Sequence, residues 1–174
     1  ARAIPARLRA GTHSYRTALS GVEQDARLQR ILDGALVPSR PEPGGVLLTR
    51  RLAQRLGLQP GDRVTAELLD GRRAKLDLRV AATVDEMAGM NAWMPLEDLN
   101  RLARDGDVVS QAGLLVERAD EPALLERLKS SPAAAMVIVN RTLLETFRAT
   151  SARNVLFFTT VLSIFAATIA VGVV

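Results

Sequence analysis

The residue types that could do chemistry are few and widely scattered. His13 is the sole histidine and there is no cysteine. A nucleophile–base–carboxylate relay needs a base held between its two partners. His13 and Ser14 are neighbours in a predicted strand, where adjacent side chains point to opposite faces. They form no such relay, and His13 reads as an exposed strand residue. Without cysteine there is neither a disulfide nor a thiolate metal site. One histidine plus carboxylates makes a poor zinc set. Two acidic pairs, Asp85-Glu86 and Asp105-Gly106-Asp107, lie in predicted loops. Paired carboxylates do acid–base work when burial splits their pKa values; in loops they read as turn and cap residues. The phosphate-cradling pattern G-x-x-x-x-G-K-[ST] is absent, so the chain carries no ATP site of that kind. The expectation is that the chain is no enzyme, with no catalytic residue, no cofactor-binding residue and no metal.

One local cluster is unusual: Met87, Met90 and Met94 with Trp93. Thioethers bind Cu(I) and adapt to varied apolar surfaces. The cluster is a candidate for partner or lipid contact, against the plainer reading that it fills gaps beside a sheet. Replacing these residues by alanine separates the two readings: stability falls in the plainer case, activity alone in the other.

The elements that position these residues follow from periodicity. Residues 4–20 read as two strands around Ala10-Gly11. Leu28, Ile31 and Leu32 share one face of a short helix over Asp25–Asp33. The Pro- and Gly-rich stretch 38–45 breaks regular structure. Val46–Leu48 reads as a strand, Thr49 as the N-cap of a helix burying Leu52, Ala53 and Leu56, and Gly57 as its left-handed cap. Val64, Ala66 and Leu68 alternate with polar residues, as do Ala74, Leu76, Leu78 and Val80. Asp70-Gly71 between them predicts a hairpin with a type I′ turn. Pro95 opens a helix carrying Leu96, Leu99 and Leu102, ended by Gly106. A strand over Leu114–Glu117, an Asp120-capped helix with Leu124, Leu125 and Leu128, and a strand over Ala134–Val139 follow. Asn140 caps a last helix with Leu143, Leu144 and Phe147. The fold class is α+β, with a mixed, largely antiparallel sheet, several short helices and a C-terminal transmembrane helix.

Charge is partitioned sharply. All 23 basic and 19 acidic residues precede Val155, and Val155–Val174 has none. Twenty helical residues span ~30 Å, the hydrocarbon thickness of a bilayer. The expected organisation is a domain over residues 1–153 and a membrane helix over 154–174. The chain starts at Ala1 and stops inside an apolar run, so it reads as a piece of a longer polypeptide. Ser163, Ala166, Ala167 and Ala170 give that helix a small-residue face for close packing in lipid. The net charge of +4 arises in residues 1–22, where Arg2, Arg7, Arg9 and Arg16 meet no acid. Basic patches interleaved with aromatics are missing, so nucleic acid is not an expected partner. Lipid headgroups beside the basic segment are the more economical reading.

The stretch Gly45–Val64, the Asp85–Met94 segment with Gly89, Ala92, Trp93 and Met94, and Pro132–Val139 leading into an apolar helix resemble one family. It is the FtsX-like ABC transporter permeases of the MacB and LolCE type, in their extracytoplasmic domain. The resemblance implies a four-span permease of the cell inner membrane, with residues 1–153 outside and 154–174 starting the second span. It implies a cytoplasmic ATPase subunit as partner, a second permease copy or paralogue, membrane lipid and a periplasmic partner, with no cofactor. Substrates of the broad family include lipoproteins, peptides, antibiotics and lipids. The function implied is coupling of ATP-driven helix motion to substrate export or extraction, with ATP hydrolysed on a separate subunit. Arg148 and Arg153 beside the apolar run pull the other way, since arginine-rich flanks mark the cytoplasmic side; that rule is weak for long translocated domains. The alternative is a ligand-sensing domain of a membrane-anchored signalling protein. The sequence beyond Val174 separates the two: further apolar spans favour a permease, a helical linker or kinase-like pattern a sensor.

Overall fold

A computed structural model describes residues 1–86, 89–141, 151, 155, 158–160, 162, 163 and 165. They fall into two compact units, Ala1–Leu115 and Val116–Val174. The fold is α+β with a mixed sheet and a few short helices.

The first unit is a closed barrel. Its strands are β1 (Arg2–Ala10), β2 (His13–Val22), β5 (Gly45–Thr49), β6 (Arg63–Leu68), β7 (Lys75–Val84) and β8 (Ala92–Pro95); β3 (Ile31–Leu32) and β4 (Pro38–Ser39) form a separate two-stranded ribbon. The barrel order is β1-β2-β8-β5-β7-β6, closed by β6 pairing antiparallel with β1 through Ala6↔Leu68 and Leu8↔Ala66. The β2–β8 and β5–β7 pairs are parallel and the rest antiparallel. Alternation along each strand sends one set of side chains inward. Ile4, Ala6 and Leu8 thus meet Leu19, Val46, Leu48, Val64, Ala66, Leu78, Val80, Ala92 and Met94 in one core. Each fully buried Leu contributes about 1.5–3 kcal/mol.

Two helices complete that core. Helix α1 (Arg50–Leu56) buries Leu52, Ala53 and Leu56, as the sequence predicts, and ends on Gly57 at φ 69°. Helix α2 (Leu96–Ala103) buries Leu96, Leu99, Asn100 and Ala103, the i, i+3, i+4, i+7 stripe of one face. Leu102 lies off that stripe and is exposed. The helix stops at Arg104, at φ 57°, two residues before the predicted Gly106. Helix α2 crosses β2 at Gly21. A Cβ there would stand 2.9 Å from Leu99 Cδ2 and 3.1 Å from the Leu96 Cα, so the close approach requires glycine.

The β6–β7 hairpin is present, but its turn is not the two-residue type I′ turn predicted at Asp70-Gly71. The ladder pairs Val64 with Leu78 and Ala66 with Leu76, and Leu68 N–H donates to the Ala74 carbonyl at 2.9 Å. A two-residue turn at 70–71 would set Val64 opposite Asp77. One apolar set would then face solvent. The register that buries both sets leaves a longer loop, in which Arg73 takes a positive φ of 51°.

The helix predicted over Asp25–Asp33 does not form. Only Ile31 reaches the interior, joining Val22, Leu47, Val84 and Trp93, while Leu28 is exposed. A short helix without a buried stripe cannot hold itself, and Ile31 instead pairs with Ser39 in the β3–β4 ribbon.

In the second unit, α3 (Glu121–Lys129) forms after Asp120 as predicted, with none of its residues buried. The strand predicted over Leu114–Glu117, where the first unit ends, and the one over Ala134–Val139 are irregular backbone; Leu115 and Met136 are largely exposed. A strand needs a neighbour for its N–H and C=O groups, and no neighbouring strand pairs with either segment among the described residues. Asn140 and Arg141 are helical; Leu143, Leu144 and Phe147 lie outside the described residues. Among the described residues no helix is long and apolar enough to cross a membrane. The predicted transmembrane helix lies mostly outside them. Its described positions are helical, and Val155, Phe158, Leu162 and Phe165 are all exposed.

Candidate interaction surfaces

The residues singled out for chemistry are dispersed. His13 is exposed at the β1–β2 turn, opposite Ala10. Asp85 follows β7, where its carboxylate lies 3.5 Å from Arg50 and its carbonyl accepts Gly34 N–H at 2.7 Å. Glu86 accepts from the Asn91 amide at 2.8 Å. Asp105 takes the Arg2 guanidinium, which also donates to Asn100 Oδ1 at 2.8 Å. Among the described residues no group of His, Asp and Glu could hold a metal ion.

The methionine cluster is divided by the pleat of β8. Trp93 and Met94 are consecutive strand residues, so they face opposite sides. Met94 is fully buried in the barrel core, and Trp93 packs with Val22, Ile31, Leu47 and Val84. Met90 is half-buried against the barrel core, and its carbonyl accepts the Thr17 hydroxyl at 2.8 Å. Met87 lies outside the described residues, as do Ala166, Ala167 and Ala170; Ser163 is helical and exposed.

Two concavities mark the barrel. An open cleft of about 590 Å³ lies between the segment after β2 and the β3–β4 ribbon, lined by Val22, Ile31 and Pro41 and by Arg27, Arg30 and Arg40. A smaller one of about 300 Å³ sits beside Arg2, Leu68, Arg72 and Asp105. Both are open; the first also carries Glu23, Asp25 and Ser39 on its lining. Asp98 ties helix α2 to the loop before β5. This side chain is buried on α2, accepts Gly44 N–H at 2.7 Å and pairs with Arg101.

A feature that strand periodicity did not disclose is the charge on the barrel wall. Closure sets Arg7 of β1 between Arg16 of β2 and Glu67 of β6. Arg7, Arg9 and Lys75 all lie within 4 Å of Glu67.

No family model matches the chain, and no curated protein matches it. Among solved structures it is similar to the extracellular domain of the noncanonic ABC-type transporter YknZ from Gram-positive bacteria, at 13% sequence identity and a TM-score of 0.45, over 76% of this chain and 75% of that one.

Proposed function

We propose that this chain is the extracytoplasmic part of an ABC transporter permease subunit. On this reading the barrel unit stands outside the membrane and the charge-free segment enters it. Motion driven by a cytoplasmic ATPase passes along the helix begun at Asn140 to the outer domain. Substrate export or extraction is the work done, and ATP is hydrolysed on the separate subunit.

The observation that carries the reading is the terminal segment. Val155, Phe158, Leu162 and Phe165 are exposed at every described position, in a stretch of twenty residues without a charge. In water such a surface is costly, at about 25 cal/mol per Å² of apolar area; lipid removes that cost. The permease-like stretch Gly45–Val64 supports the same reading. It folds as one continuous unit, β5–α1 and the turn into β6, at the centre of the barrel core.

Purification from native membranes in a mild nonionic detergent tests the proposal. A cytoplasmic ATPase with a phosphate-binding loop should co-purify, and its ATP turnover should change when this chain is removed. Recovery with a kinase or methyl-accepting partner, and no ATPase, would contradict it.

A further inference from the structure

The barrel wall formed by β2, β1, β6 and β7 carries two like-charged pairs set directly opposite each other. Arg7 faces Arg16 across the β1–β2 ladder, and Arg63 faces Arg79 across the β6–β7 ladder. Like charges in that position destabilise a sheet. Closure of β6 onto β1 joins the two halves into one row, Arg16–Arg7–Glu67–Lys75, with Arg9 beside it next to Thr65 and Asp77. The six outward cations are Arg7, Arg9, Arg16, Arg63, Lys75 and Arg79, and they meet two carboxylates. Glu67 is shared by Arg7, Arg9 and Lys75, and Asp77 is held by Arg63 at 2.9 Å. The surplus equals the formal net charge of the whole chain, +4, so everything outside this wall balances to zero.

The geometry points to this wall as a docking surface for a carboxylate-rich protein segment, an acidic stretch of a partner chain. Five of the six cations are arginine, whose planar fork holds a carboxylate through two parallel bonds. The wall curves. Four of the barrel's six strands make up about two thirds of its wall, so a flat bilayer would touch only a strip of it. A peptide laid across the strands can reach the whole row. The one aromatic residue on these four strands, Tyr15, alternates to the other face and packs on the barrel core, which removes the usual grip on single-stranded nucleic acid. The inference rests on the strand registers alone and is independent of the transport reading.

The test uses the full chain in nonionic detergent at low salt and a fluorescent oligoglutamate peptide, read by anisotropy. Saturable binding is expected. The variant Arg7→Gln/Arg16→Gln should weaken it about tenfold, as loss of charge-assisted bonds implies. Removing the same charge elsewhere, in Arg27→Gln/Arg30→Gln, should change it less than about twofold. Arg16→Glu removes the same two units of charge and turns a repelling pair into an attracting one, so it should weaken binding at least about tenfold while leaving the melting temperature unchanged or higher. Three results would overturn the inference: no binding of the peptide, equal weakening by both double variants, or binding to phosphatidylglycerol vesicles with none to the peptide.

Discussion

Thr49 and Asn91 grip each other twice. Thr49 N–H donates to the Asn91 carbonyl at 3.0 Å, and Asn91 N–H donates back to Thr49 Oγ1 at 3.2 Å. Thr49 is 1% exposed, so water cannot substitute for either bond. The sequence marks Thr49 as a helix cap, and it does stand before α1. Its hydroxyl, however, serves the strand-entry loop of β8 in place of the first helical turn. One residue thus joins the β5–α1 corner to β8.

Thr49→Val keeps the shape and removes the acceptor, leaving the half-buried Asn91 N–H without its partner. The expected loss is about 1–3 kcal/mol in denaturant unfolding. Thr49→Ser should recover most of it. Equal losses for both variants would show that packing, and not the hydroxyl, is what matters.

Gly21→Ala forces a methyl group against Leu99 and the Leu96 backbone. Overpacking of this kind costs about 1–3 kcal/mol. Urea unfolding of Gly21→Ala should show it. Adding Leu99→Val gives the far end of that contact more room, so the two changes together should cost less than their sum. Strict additivity would contradict the close approach of α2 to β2.

The methionines separate by burial. Met94→Ala opens a cavity in the barrel core and should cost about 2–5 kcal/mol. Met90 is half-buried, and the bond it accepts uses its backbone carbonyl. Met90→Ala should therefore cost about 1 kcal/mol or less. Loss of transport in Met90→Ala at full stability would assign that side chain to a partner or to lipid.

Much of the barrel was legible locally. The corner from Val46 to Gly57 was read correctly in its elements, because apolar spacing and Gly57 agree on them, while the task of the Thr49 hydroxyl was not. The hairpin strands were legible for the same reason, but their turn was not. Asp70-Gly71 is a sound local signal, and the inward register of Val64 and Leu78 outweighs it. Closure of β1 on β6 lies beyond any local pattern, since Ala6 and Leu68 are far apart in sequence. That closure creates the Arg16–Arg7–Glu67–Lys75 row, so the charged wall was hidden too. Leu28, Leu115 and Met136 mark the remaining failures: apolar spacing suggested elements where no burial or strand partner is found among the described residues.

Side of the membrane is tested by labelling. The chain has no cysteine, so Asp107→Cys, on an exposed loop, places a single thiol. An impermeant maleimide should label it in intact spheroplasts as fully as after lysis. Labelling only after lysis would put the barrel inside, the side to which Arg148 and Arg153 point.

The central claim is that the charge-free segment is held in lipid. Membranes from cells expressing the full chain should be washed with alkaline carbonate, which strips peripheral proteins. The chain is expected to stay in the pellet and to be released only by detergent. Release into the carbonate supernatant would contradict it.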